Sequence, residues 1–142
     1  MLHKNLDINE QGHLSIAGYD TVALAEKYGT PLYVLDTDCV YDNCVRYKNL
    51  IEKYFGEGSK PLFASKALSC KEVYRIAAKA GIGIDVVSGG EIYTASAAGF
   101  PMGNAYFHGN NKTDADIAFA LDRGVGCFVV DNIEEMNALQ AE

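Results

Sequence analysis

The sequence predicts an α/β fold in which parallel strands alternate with helices, because two features recur along its second half. Four short apolar runs each lead to a polar residue that can cap a helix, with an acidic residue three positions later. Glycines then close the helical segments and lead into the next run. The four runs are predicted strands at residues 61–68, 82–87, 105–108 and 127–130.

The helix starts are predicted from pairs of a capping residue and an acid. The first three pairs match the capping-box pattern or its aspartate variant, and the asparagine pair is a looser match. Helices are expected to end at Gly81, Gly99 and Gly124. The pairs are Ser69 with Glu72, Ser88 with Glu91, Thr113 with Asp116, and Asn132 with Glu135.

Ahead of these units, residues 2–16 alternate loosely around Gln11-Gly12, which indicates a hairpin or extended segment outside the α/β layer. A short helix is predicted at 20–28, a strand at 31–35, and a longer helix with an apolar face at 40–54.

Two α/β architectures compete. Residues 63–70 contain no glycine, which disfavours a dinucleotide or P-loop site after that strand. A (β/α)8 barrel needs roughly 200 residues or more, and four βα units make about half of one. We therefore expect the natural protein to continue past residue 142.

Composition limits the classes of binding partner that we expect. A net charge of −7 and an isoelectric point near 4.9 disfavour nucleic acid and an anionic membrane surface. No stretch approaches the ~18 apolar residues of a membrane span, and the N-terminus lacks a signal-peptide pattern, so cytoplasmic residence is expected. The four cysteines and three histidines show no zinc-site spacing. We expect reduced thiols, no metal and a small-molecule partner.

Lys66 is the first candidate for chemistry because it lies near the end of the first predicted strand of the barrel, where active sites gather. Its small neighbours leave room for a bulky group, and burial there would favour the neutral amine that attacks an aldehyde. The alternative is a strand-end lysine whose ammonium reaches solvent. Lys112 is a rival, but its polar loop predicts an exposed, charged amine.

Three further residues lie at the same end of the predicted strands. Asp85 is flanked by branched apolar residues, so its carboxylate must be paired or hydrogen-bonded, either to loop amides or within a site. Glu91 is ambiguous, because a capping role with Ser88 accounts for it fully. His108 closes the third strand and opens a polar loop, where it is either a structural or a functional imidazole.

At these residues the chain resembles a known family. Residues 63–67, Phe-Ala-Ser-Lys-Ala, resemble the lysine motif of the barrel-type (fold type III) pyridoxal-phosphate enzymes. Residues 83–91 look like the second-strand motif of its decarboxylase branch. Residues 107–112, Phe-His-Gly-Asn-Asn-Lys, are similar to the diaminopimelate decarboxylase family rather than to ornithine-specific relatives.

The resemblance implies pyridoxal 5′-phosphate as cofactor, covalently held by Lys66. It implies that Lys66, Asp85 and His108 are catalytic, and that these three and Glu91 surround the cofactor. It further implies decarboxylation of meso-diaminopimelate to L-lysine by a homodimer. Residues 1–35 would belong to a β-rich domain of the complete protein, and residues 36–142 to a truncated cofactor-binding barrel that we expect to be inactive alone.

Two other functions stay open. One is a related decarboxylase acting on another basic amino acid, and the other is a non-catalytic pyridoxal-phosphate-binding or interaction module.

Overall fold

The computed structural model describes residues 3–141, which divide into two units, one ending at Val40 and the other beginning at Tyr41. Residue 2, the start of the predicted hairpin, lies outside the described residues. The strands are β1 Leu6–Ile8, β2 Leu14–Ile16, β3 Tyr19–Asp20, β4 Leu62–Ala64, β5 Gly83–Val86, β6 Ala105–Phe107 and β7 Cys127–Phe128. The helices are α1 Thr21–Tyr28, α2 Thr37–Phe55, α3 Lys71–Ala80, α4 Gly89–Ala97, α5 Asp114–Asp122 and α6 Ile133–Ala141.

The first unit is built on an antiparallel sheet in the order β1-β2-β3. The hairpin prediction is confirmed for β1 and β2, whose register pairs Leu6 with Ile16. Strand β3 was not predicted, because it has only two residues and leads directly into α1. Asp20, the last residue of β3, caps that helix by accepting hydrogen bonds from the Val22 and Ala23 amides.

The predicted strand at 31–35 is wrong. These residues have no regular secondary structure, and their side chains are exposed, that of Tyr33 completely. A strand requires a neighbouring backbone to complete its hydrogen bonds, and none of the described strands pairs with this segment. The apolar pattern of residues 31–35 is therefore not enough to predict a strand.

The second unit contains a parallel sheet in the order β4-β5-β6-β7, as the βα alternation predicts. Helix α3 packs on β5 and buries Val73, Ile76 and Ala77. Within β5, Ile84 and Val86 are fully buried. Gly81 follows α3 in the left-handed conformation, φ 71°, so the predicted glycine stop is confirmed there.

The first parallel strand is shorter than predicted. Strand β4 covers Leu62–Ala64, and Ser65–Ala67 form a 3-10 turn. The turn ends the pairing with β5, whose register runs from Leu62 opposite Gly83 to Ala64 opposite Asp85. Lys66 therefore lies in a tight turn after the strand and not within it.

The capping predictions are confirmed at three of the four helices. Ser88, Thr113 and Asn132 each accept a hydrogen bond from the amide three residues later. The prediction for Ser69 is wrong: Cys70 precedes α3 without a side-chain cap, and the Ser69 hydroxyl bonds instead to the Tyr74 hydroxyl at 2.9 Å. The buried tyrosine hydroxyl needs a partner, which explains why Ser69 bonds to it.

The long predicted helix α2 is present, but its apolar face is only partly covered. Cys44 is buried, and this burial raises the pKa of its thiol. Tyr47 and Tyr54 on the same face are exposed. The four cysteines form no disulfide bond, and residues 3–141 contain no group of acidic, histidine and cysteine side chains arranged to hold a metal. Within the same residues, no helix is long and apolar enough to cross a bilayer.

Asp20 makes the stability of the first unit depend on pH. Its hydrogen bond to His13, at 2.9 Å, is the main cause that lowers the pKa of this carboxyl from 3.8 to about 2. A lowered pKa means that the folded state favours the carboxylate, so the stabilisation is present above about pH 4 and is lost as the pH falls towards about 2.

We expect Asp20→Asn to destabilise this unit above about pH 4 and to differ little from the parent near pH 2. Chemical denaturation at a series of pH values measures the difference, and Glu10→Gln, in the exposed hairpin turn, is the control. A difference that stays constant with pH would contradict the assignment.

Candidate active site

The candidate site lies where the parallel strands end. The register places Asp85 opposite both Ala64 of β4 and Tyr106 of β6. Lys66 and His108 each follow these partners by two residues. Because parallel strands end at the same edge of a sheet, Lys66, Asp85 and His108 share one edge.

Asp85 is held in β5 between the buried side chains of Ile84 and Val86, and its own side chain is 21% exposed. The basic side chain beside it is His108, whose Nδ1 is 3.8 Å from Asp85 Oδ1. That distance is too long for a hydrogen bond, and Oδ1 has no hydrogen-bond partner among the described residues. The expected firm pairing of this carboxylate is therefore not found, which leaves an acceptor available.

Ser65 and Lys66 form the turn that follows β4. Ser65 is completely buried, yet its hydroxyl has no hydrogen-bond partner within residues 3–141. Lys66 is exposed, which is the second of the two alternatives that the sequence left open for its amine. The reason is that β4 is an edge strand of the described sheet, and no neighbour covers its outer side.

The backbone of His108 continues the pairing of β5 and β6. Its amide donates to the Val86 carbonyl at 2.8 Å, and the Val129 amide donates to the Phe107 carbonyl at 2.9 Å. The imidazole is 58% exposed. Gly109 then turns the chain with φ 115°, a conformation that residues with a side chain rarely adopt. The imidazole is thus presented at the strand ends by a firmly held backbone.

Glu91 is held by a backbone contact at the end of β5. Its Oε2 accepts a 2.6 Å hydrogen bond from the Val87 amide, while its own amide donates to Ser88 Oγ. Asp116 accepts from the Gly89 amide at 3.3 Å and so links α5 to the same loop. Glu91 fixes the chain next to Asp85, which is a structural role whether or not it also meets a ligand.

Lys112 is buried, contrary to the exposed amine that its loop predicts. Its side chain is 1% exposed, and its ammonium lies 2.7 Å from Glu135 Oε1. It also donates to the carbonyls of Gly109, at 2.6 Å, and Val129, at 2.9 Å. Because this ammonium donates two hydrogen bonds and forms an ion pair with Glu135, the amine of Lys112 is not available for covalent chemistry, whereas Lys66 makes no hydrogen bond or ion pair among the described residues.

Sequence reasoning missed two residues of this region, Ser65 and Glu135. Ser65 was treated only as a small neighbour of Lys66, although a hydroxyl directly after a predicted strand of the sheet is a usable signal. Glu135 was explained fully by capping with Asn132, and nothing local in the sequence indicates its pairing with Lys112.

Residues 41–142 match the family described as "Pyridoxal-dependent decarboxylase, pyridoxal binding domain". The chain belongs to this family. The matched segment contains all four candidate site residues, Lys66, Asp85, Glu91 and His108.

Curated relatives carry a more specific name. The chain is 44% identical over 139 residues to a diaminopimelate decarboxylase of Bacillus methanolicus, covering 98% of the chain and 32% of that protein. It is 45% identical over 141 residues to a diaminopimelate decarboxylase of Bacillus subtilis, covering 98% of the chain and 31% of that protein. The chain therefore spans about a third of the length of these relatives.

Solved structures agree with the fold. The diaminopimelate decarboxylase of M. jannaschii in complex with L-lysine superposes with a TM-score of 0.83 at 34% identity, covering 97% of the chain and 32% of that structure. A lysine/ornithine decarboxylase of Vibrio vulnificus in complex with putrescine gives a TM-score of 0.73 at 30% identity, with 85% and 32% covered. The predicted α/β fold of parallel βα units is confirmed.

We expect Glu91→Ala to lower the free energy of unfolding by about 1–2 kcal/mol, because the Val87 amide loses a charged acceptor. Glu134→Ala is the matched control, since Glu134 also lies in the first turn of a helix but is exposed. Denaturant titration of the two variants measures the difference. Equal losses would show that the Val87 contact contributes nothing.

Proposed function

We propose that the complete protein containing this chain is a pyridoxal-phosphate-dependent carboxy-lyase that converts meso-diaminopimelate to L-lysine, with Lys66 carrying the cofactor. The observation that carries the proposal is the chemistry available at one edge of the sheet. An exposed, unpaired lysine amine follows β4, and two buried oxygens without partners, Ser65 Oγ and Asp85 Oδ1, lie in the same region.

These residues fit the cofactor. Buried polar atoms rarely lack a hydrogen-bond partner, so a polar ligand at this edge would satisfy groups that the described chain leaves unsatisfied. The available set is an amine, a carboxylate, a hydroxyl and an imidazole. An aldehyde bonds to the amine, and the other three groups offer hydrogen bonds or charge to a polar aromatic ring.

The division of labour follows from the positions. When bound, the cofactor supplies the electron sink that lets an α-carboxylate leave as carbon dioxide. Lys66 would anchor it at the strand end. Asp85 places a negative charge there, which favours a protonated nitrogen nearby. His108 borders the same edge with an exposed imidazole that can hold a proton or orient a ligand.

The substrate is proposed from the relatives. The two Bacillus proteins are named diaminopimelate decarboxylases, and the M. jannaschii enzyme was solved with L-lysine. A second candidate is decarboxylation of another basic amino acid, which the likeness to the Vibrio vulnificus lysine/ornithine decarboxylase favours. Turnover of diaminopimelate against lysine and ornithine by the complete protein separates the two.

The proposal includes the organisation of the complete protein. Residues 1–35 would join a β-rich domain, and residues 36–142 would form part of a closed barrel. A cytoplasmic homodimer is proposed with it, and its support is the resemblance of the motifs at residues 63–67, 83–91 and 107–112. Analytical ultracentrifugation of the complete protein tests the dimer, and a monomer at working concentration would contradict it.

Covalent trapping tests the lysine. We expect borohydride treatment of the cofactor-loaded complete protein to fix the pyridoxyl mass on Lys66, because this amine is accessible and unpaired, while Lys112 is enclosed. Peptide mapping by mass spectrometry locates the adduct. Mapping to Lys112 would refute the assignment.

Substitution of Lys66 and Asp85 is a second test of the proposal. Lys66→Ala should abolish decarboxylation without lowering the melting temperature of the cofactor-free protein, since the exposed side chain makes no described contact. Asp85→Asn keeps the shape and removes the charge, so we expect an intermediate loss of about tenfold or more. Lys71→Ala is the control, an exposed lysine at the start of α3. Normal turnover in Lys66→Ala would end the proposal.

A further inference from the structure

Lys112 and Glu135 form a buried ion pair that the proposed function does not use. Their side chains are 1% and 6% exposed, and Nζ lies 2.7 Å from Oε1. Removing two charges from water costs free energy that the attraction between them often fails to repay. A pair buried to this degree is therefore weak evidence for a gain in stability. Its contacts show instead which backbone segments it holds in place.

The lysine side of the pair holds the loop that carries His108. Besides Glu135, the ammonium binds the Gly109 carbonyl, at 2.6 Å, and the Val129 carbonyl, at 2.9 Å. It also lies 5.5 Å from the centre of the Phe107 ring. Since Phe107 and Gly109 flank His108 in the chain, the cation contacts both neighbours of the histidine.

The glutamate side of the pair holds the next loop. Glu135 Oε2 accepts a hydrogen bond from the Asp131 amide at 3.3 Å, and the Glu135 amide donates to Asn132 Oδ1 at 2.8 Å. The ion pair consequently joins the β6–α5 loop to the β7–α6 loop. Both loops follow strands at the edge that carries the candidate site.

The backbone at His108 is held on both sides. Its amide donates to Val86 on one side, and the Lys112 contact with Gly109 restrains the other. Between them the imidazole stands 3.8 Å from Asp85 Oδ1. Because the backbone is restrained, the Cα from which the exposed imidazole extends is fixed, and this limits where its nitrogen atoms can lie.

We propose that Lys112 and Glu135 are positioning residues that clamp the 108–112 loop and so hold His108 beside Asp85. The consequence for cofactor binding and turnover rests on the proposed function. The clamp itself is a property of the described chain and can be tested without any cofactor.

The first test is amide hydrogen exchange in the cofactor-free complete protein. Lys112→Met with Glu135→Met removes the clamp without leaving a buried charge, so the overall fold should persist. We expect exchange in peptides covering 108–112 to rise about tenfold or more, as for a loop that loses charged hydrogen bonds. Peptides from α3 serve as the control and should not change. The single variant Lys112→Arg, which keeps Glu135 and a positive charge, should retain slow exchange at 108–112.

Unchanged exchange at 108–112 in the folded double variant would overturn the proposal. If the double variant fails to fold, Glu135→Gln decides, because it keeps the side-chain shape and an acceptor for the Asp131 amide while removing the charge. Parent-like exchange in that variant would overturn the proposal equally.

The second test is a double-mutant cycle on pyridoxal-phosphate affinity, measured by reconstituting the cofactor-free complete protein. We expect the double variant to raise the dissociation constant about fivefold or more, and to add nothing in a His108→Ala background, because the clamp acts through His108. Additive effects would show a general structural role and overturn the positioning role. If the parent protein binds no pyridoxal phosphate, the proposed function fails, while the exchange result still decides the clamp.

Discussion

The parallel pairing of β5 with both neighbouring strands is the constraint on which the candidate site depends. Asp85 is opposite Ala64 on one side and Tyr106 on the other. Because side chains alternate between the faces of a sheet, a one-residue shift in either register would change which side chains accompany Asp85. The turn that carries Lys66 and the loop that carries His108 both start from this row, so their positions follow from backbone pairing before any side-chain contact is made.

The length of an acidic side chain determines how each loop is fastened beyond the strands. Asp116 reaches the amide of its own capping residue, Thr113, and completes a capping box. Glu91 and Glu135 are one methylene longer and reach one residue further back, to the Val87 and Asp131 amides. The longer reach anchors the residue before the cap. In Glu135 this contact uses one oxygen and leaves the other for Lys112.

The sequence predicted what depends on local period and on strand order. Alternating strands and helices imply a parallel sheet, and a parallel sheet brings Lys66, Asp85 and His108 to one edge. The sequence did not predict what depends on distant partners. Residues 31–35 have an apolar pattern but no strand beside them among the described residues. Lys112 is buried and forms an ion pair with Glu135 of a later helix, and no local sequence pattern predicts that pairing.

The two candidate lysines differ in whether the amine already has partners in the described chain. The sequence left burial and exposure open for Lys66 and predicted an exposed amine for Lys112, and in residues 3–141 Lys66 is exposed and Lys112 is buried. To attack an aldehyde, Lys112 would have to give up an ion pair and two hydrogen bonds to carbonyls, and would leave Glu135 as an unpaired buried carboxylate. Lys66 gives up no described contact. Availability of the amine, and not its burial, therefore separates the two candidates.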